Sequence, residues 1–179
     1  IGISDGVRDV AAVCGDTRLG GDDFDQVIVD WAIERITREF GADAVRDPAL
    51  LVMLKWEAER VKRDLTTLES ATLTLPFVPA ASGAVSFELT REEFERRAEA
   101  LLTRIEGPCR NALSDADSWV EPESVVLVGQ QTRMPAVRRV VEKVFGLPLR
   151  LDVDPDEIVA VIRALLEEAR PSMHVRSAR

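Results

Sequence analysis

The feature that most constrains this chain is the run Ser124–Val128, a short apolar segment that stops at Gly129, crosses a polar loop and enters a helical pattern over Pro135–Phe145. A strand whose successive side chains are all apolar has both faces out of water, which is the condition of strands in parallel sheets. Parallel neighbours cannot be joined by a tight turn and need a crossover, usually a helix. Leu149–Val153 is the next candidate strand after that helix. The rhythm predicts an α/β or mixed α+β fold, a mixed sheet with flanking helices.

The rest of the chain agrees. Ile1–Ile3 and Val7–Cys14 flank the turn signal Ser4-Asp5-Gly6 and read as a hairpin over residues 1–14. A glycine-bearing loop then leads to a helix predicted over Asp22–Phe40, where Phe24, Val27, Ile28, Trp31 and Ile36 recur near helical spacing and Gly41 is the stop. Asp47-Pro48 opens a second helix, with aspartate at the cap and proline in the first turn. It runs to about Leu65, with Leu54, Ala58, Val61 and Leu65 as its apolar face. Strands are predicted over Ala71–Val78 and Ala84–Leu89. Thr90 and Glu93 make a T-x-x-E capping box for a helix holding Phe94, Leu101, Leu102 and Ile105, with a kink expected at Gly107-Pro108. Asp154-Pro155-Asp156-Glu157 opens a final helix by the same logic, and residues 171–179 read as a disordered tail.

Charge removes several classes of function. The 32 acidic and 23 basic side chains leave a net charge of -9, whereas a nucleic-acid or anionic-membrane binder needs a basic face. No apolar run reaches the ~18 residues of a membrane span. Neither nucleic acid nor membrane is expected as a partner. Cys14 and Cys109 are too few and too far apart for a disulfide framework, and the lone His174 builds no metal site. A reducing cytoplasm is the expected setting, with no metal bound by the chain itself.

Three segments carry signals beyond folding. In Leu19-Gly20-Gly21-Asp22-Asp23-Phe24-Asp25, paired glycines before a helix let backbone amides approach a phosphate. The three aspartates already complement that helix start, so taken alone the segment reads more readily as a structural turn. Glu59, Lys62, Arg63 and Thr66 stand at i, i+3, i+4 and i+7, on one helix face away from the apolar stripe. A carboxylate for ribose hydroxyls, a guanidinium for stacking and a hydroxyl for ring nitrogens suit a nucleoside. On spacing alone a solvated face with ordinary ion pairs is favoured. In Val128-Gly129-Gln130-Gln131-Thr132-Arg133-Met134-Pro135, a glycine ends a strand where α/β sheets bind ligands, and Arg133 is placed to stack on a base. A plain strand-to-helix connection is the alternative.

Together and in order, these segments resemble the DnaK-type chaperone family, the seventy-kilodalton heat-shock proteins. Gly15–Asp25 is similar to the family's G-D-T-H-L-G-G-[ED]-D-F-D signature, and Glu57–Thr66 resembles its E-x-A-K-x-x-L-S helix. Val126–Pro135 resembles V-L-V-G-G-x-T-R-[IM]-P, and Asp154–Val161 resembles N-P-D-E-A-V-A. The likeness covers about residues 7–170. It implies lobe II of an actin-like ATPase domain over 1–170. Residues 22–120 would form a smaller helical and hairpin subdomain, mobile and gripped by nucleotide-exchange factors, on a base of 1–21 and 121–170. It implies an adenosine pocket for ATP or ADP in which Glu59 meets the ribose, and Lys62 and Arg63 flank sugar and adenine. Thr66 takes a serine's place near the base. Gly129, Gln130, Gln131, Arg133 and Met134 form the other wall, with Gly21 close to the nucleotide and Asp156 at the outer edge.

The family's phosphate-binding loop, catalytic lysine and glutamate, and D-L-G-G-G-T segment have no counterpart in these residues. They hold phosphates, magnesium and water, so magnesium is expected only together with the missing first lobe, and ATP hydrolysis is not expected of the chain alone. Gln130 replaces the second glycine of the strand-end pair, and Ile162-Arg163 replaces Gly-Ala, so nucleotide binding is expected to be weak or lost. The chain reads as a truncated lobe or a divergent paralogue of the parent chaperone. Two alternatives stay open: a non-catalytic module that docks an exchange factor or a separate first lobe, and a fragment of another enzyme of the actin and sugar-kinase superfold. An uncovered cleft surface also predicts association at high concentration.

Overall fold

The computed structural model describes residues 2–4, 7–9, 11–116 and 122–150. The helix expected from Asp154, with Asp156, Ile162 and Arg163, and the tail from Pro171 lie outside these residues. In chain order the elements are β1 (Gly2–Ser4), β2 (Val7–Asp9), α1 (Gly21–Phe40), a 3-10 turn (Ala44–Arg46), α2 (Pro48–Asp64), β3 (Ser70–Leu75), β4 (Val85–Thr90), α3 (Arg91–Arg97), α4 (Glu99–Asp115), β5 (Val125–Val126), a 3-10 turn (Gln130–Arg133), α5 (Pro135–Phe145) and β6 (Leu149–Arg150). Among the described residues the strands form three two-stranded sheets: β1–β2 and β3–β4 are antiparallel, β5–β6 is parallel. Helices with small sheets make the architecture mixed α+β. No described helix is long and apolar enough to cross a membrane.

The chain divides into two compact units. One is Thr17–Arg104 with Met134–Ala136, and the other holds the described parts of Ile1–Asp16, Ile105–Arg133 and Val137–Arg179.

The first unit is built on α1 and α2. Phe24, Ile28, Trp31, Ala32 and Ile36 of α1 are buried, a stripe at helical spacing. The helix stops where Gly41 takes φ +87°, a conformation side chains resist, and its amide donates to the Thr37 carbonyl at 3.0 Å. At the start of α2, Asp47 Oδ1 accepts from the amides of Ala49 at 2.7 Å and Leu50 at 3.3 Å, and Pro48 needs no partner there. Leu50, Leu54, Ala58, Val61 and Leu65 are buried along one face, each leucine contributing roughly 1.5–3 kcal/mol by its removal from water. β3 alternates, with Ala71, Leu73 and Leu75 inward and Thr72 and Thr74 outward. Phe87 of β4 meets Trp31 edge to face, centroids 6.3 Å apart.

Four local expectations need correction. β3 ends at Leu75 instead of Val78 because Pro76 has no amide for the ladder. β2 stops at Asp9, and residues 11–16 carry no strand, since β1 offers only three partners. The helix that Thr90 opens is two helices, and α4 continues across Gly107-Pro108, where the kink is expected. The interruption is at Ala98, whose bridge-region backbone (φ −85°, ψ 3°) separates α3 from α4. In the second unit, the predicted parallel strand is only Val125–Val126, and Val126 is 39% exposed, so it is not buried on both faces.

Candidate functional site

In the first unit, α2 carries the row singled out in the sequence. Glu59 and Arg63 are exposed, and neither side chain has a hydrogen bond or ion pair among the described residues. Thr66 is not on the helix face. α2 ends at Asp64, and Thr66 sits in the following turn with its hydroxyl donating to the Arg63 carbonyl at 2.7 Å. That spends the hydroxyl's proton and leaves its oxygen as an acceptor.

Lys62 departs furthest from a solvated face. Its side chain is only 13% exposed, and Nζ donates to the Gly21 carbonyl at 3.0 Å and to Asp25 Oδ2 at 2.9 Å. Asp25 Oδ1 lies 2.8 Å from the same nitrogen as an ion-pair contact, outside hydrogen-bond geometry, and no other donor satisfies it. Burial pushes the Asp25 carboxyl above its ordinary range. Lys62 opposes that shift, while the like charges of Glu59 and Asp22 add to it. At the start of α1, the Gly20 amide donates to Asp23 Oδ2 at 2.7 Å. The paired glycines thus have one amide taken by the protein's own carboxylate and one carbonyl taken by Lys62.

A second network fixes the other side of α2. Arg60 forks onto Glu57 at 2.7 Å, pairs with Asp64 at 2.7 Å and donates to the Thr72 carbonyl at 2.6 Å. Glu57 Oε2 also accepts the Thr74 amide at 3.1 Å. The Arg60 hydrogen bond, helped by that amide against partial burial, holds the Glu57 carboxyl below its ordinary range.

In the second unit, Gly129 has φ +96° and its carbonyl accepts from the Thr132 amide at 3.1 Å and from the Thr132 hydroxyl. Gln130, Gln131 and Arg133 follow on one 3-10 turn, Gln130 and Arg133 exposed and Gln131 half-buried. Arg138 donates to the Thr132 carbonyl at 2.9 Å and anchors that turn on α5. Met134, which belongs to the first unit, is buried.

Both cysteine thiols are pushed above their ordinary range. A hydrogen bond to Asp115 raises the Cys14 thiol, and burial raises Cys109.

The structure thus gathers Gly21, Glu59, Lys62 and Arg63 within one unit, with Thr66 in the adjoining turn, and sets Gly129, Gln130, Gln131 and Arg133 in one short stretch of the other. Two residues of interest escaped the sequence reading. Asp25 was seen only as a helix-start acid, and Trp56, 72% exposed on α2, was not singled out. The signal for Trp56 was its angle: at 100° per residue, positions 52 and 56 fall opposite the Leu54–Ala58 stripe. A model of the family described as Hsp70 protein matches residues 1–169 of this chain.

Proposed function

Because the chain belongs to the Hsp70 family of chaperones, we propose that it serves as a nucleotide-binding lobe that holds the adenosine part of ATP or ADP. The observation that carries this reading is the 3.0 Å hydrogen bond from Lys62 to the Gly21 carbonyl, which joins two motif segments 41 residues apart in sequence. A binding face gains affinity when its parts are fixed in advance. Lys62 has three N–H donors and spends two on Gly21 and Asp25. In this proposal the third reaches the sugar, the unpaired Glu59 accepts from ribose hydroxyls, and Arg63 lies on the adenine. Thr66 offers its oxygen to the base.

The same reading assigns the chain to lobe II of an actin-like ATPase domain, with the α1–α4 region as the part an exchange factor grips. Family members hydrolyse ATP with magnesium. That reaction needs a phosphate loop and a catalytic lysine and glutamate, so in this proposal hydrolysis belongs to this lobe acting together with a first lobe that carries them. A cytoplasmic setting goes with this assignment.

A second reading, a module that docks proteins without holding nucleotide, is favoured by Gln130, an exposed side chain immediately after the strand-end glycine. Amide-resolved NMR with adenosine separates the two. Saturable shifts at Glu59, Arg63 and Thr66 support the nucleotide lobe; an unchanged spectrum at millimolar adenosine supports the docking module.

A further inference from the structure

Between α1 and α2 lies a groove of about 420 Å³ whose lining includes Asp22, Asp25, Val52, Lys55, Trp56 and Glu59. The groove belongs entirely to the first unit. The adenosine reading uses only Glu59 of these. Trp56 leaves 72% of its surface in water and Val52, one turn earlier, leaves 56%. An indole and a valine at the edge of a concavity offer apolar cover to a ligand.

The polar lining specifies the ligand's charge. Three carboxylates face one lysine in this groove. Asp25 is already paired to Lys62 from outside the lining, whereas Asp22 and Glu59 have no ion pair among the described residues. The like charges of Asp22 and Glu59 each act against the Asp25 carboxylate. A group that fits must therefore be cationic, rich in donors, and flat or apolar on the side that meets the indole. A guanidinium meets all three conditions. It stacks on an aromatic face, forks onto carboxylates and trails an aliphatic stem that covers Val52. An ammonium is a compact, strongly hydrated point charge that neither stacks nor forks.

We propose that this groove is a docking site for an arginine side chain presented by another protein, with Trp56 as its stacking face and Asp22 and Glu59 as its acceptors. The net charge of -9 favours the approach of a basic partner. The site does not depend on nucleotide, so a failed adenosine titration leaves it standing.

The test uses the whole chain at 0.15 M salt, where long-range attraction is screened. The blocked tripeptide acetyl-Gly-Arg-Gly-amide is titrated and followed by amide and indole NMR, beside its lysine and citrulline counterparts. Citrulline keeps the shape and loses the charge. The expected result is saturable movement of the Trp56 indole and of amides in 22–29 and 52–59, with arginine binding tighter than lysine and citrulline not binding. Trp56→Ala, an exposed change whose fold is checked by circular dichroism, should weaken arginine binding about fivefold. Asp22→Asn should weaken it as well. Absence of saturation, equal binding of citrulline, or indifference to Trp56→Ala overturns the proposal.

Discussion

Lys62 and Asp25 form an ion pair of 2.8 Å between α2 and α1, and both side chains are largely out of water, at 13% and 18% exposed. The pair is therefore both a structural tie and the link between two motif segments. Its strength rests on mutual satisfaction, because either charge left alone in that setting is costly.

Removing the lysine exposes this dependence. Lys62→Met should destabilise the chain by about 2–3 kcal/mol, as Asp25 loses its cation and its hydrogen bond. The double variant Lys62→Met with Asp25→Leu should recover part of that loss, since no charge is then stranded. Urea unfolding midpoints of the two singles and the double measure the coupling. Additive losses would mean the pair contributes no coupling.

The two perturbed carboxyls should titrate in opposite directions. Arg60 and the Thr74 amide lower Glu57 in the folded state, so the unfolded chain binds that proton more tightly. Its contribution is complete above the ordinary glutamate range and is lost as pH falls through the lowered folded value. Asp25 is raised, chiefly by burial, so the folded chain binds its proton more tightly. That group adds stability as pH falls through the raised value towards the ordinary aspartate range. Carboxyl-carbon NMR should place the Glu57 midpoint below, and the Asp25 midpoint above, those of exposed residues of the same type. Glu57→Gln should make acid unfolding less steep.

Helix ends give a third prediction. Asp47→Ala removes the acceptor for the Ala49 and Leu50 amides and should cost about 1 kcal/mol. Gly41→Ala meets open space but must adopt φ +87° with ψ 164°, a region essentially reserved to glycine, so its cost, about 1–3 kcal/mol, is backbone strain. Gly83→Ala meets open space without a positive φ and should be neutral or stabilising by up to about 1 kcal/mol. Thermal or urea unfolding of the three variants checks the order.

These ends were legible because their signals are local. Asp47-Pro48 and Gly41 mark a cap and a stop through their own chemistry, and α2 begins where they indicate. Thr90 likewise accepts the Glu93 amide at 3.2 Å, as the capping motif implies. The break at Ala98 was not legible, since alanine is the best helix former and carries no stop signal. The residue is fully buried. Pro108 lies inside α4, because losing one amide weakens a helix without having to end it. At the site, the grouping of Glu59, Lys62 and Arg63 followed from spacing, whereas the capture of Lys62 by Asp25 depends on how α1 packs on α2. No spacing rule gives a contact between residues 37 apart in sequence.

The most direct test of the nucleotide-lobe reading is calorimetric titration of the whole chain with ADP, beside Glu59→Ala and Gln130→Gly variants. Saturable one-to-one binding is predicted, weakened by Glu59→Ala and strengthened by Gln130→Gly. No heat from the native chain or from Gln130→Gly at millimolar ADP would contradict it.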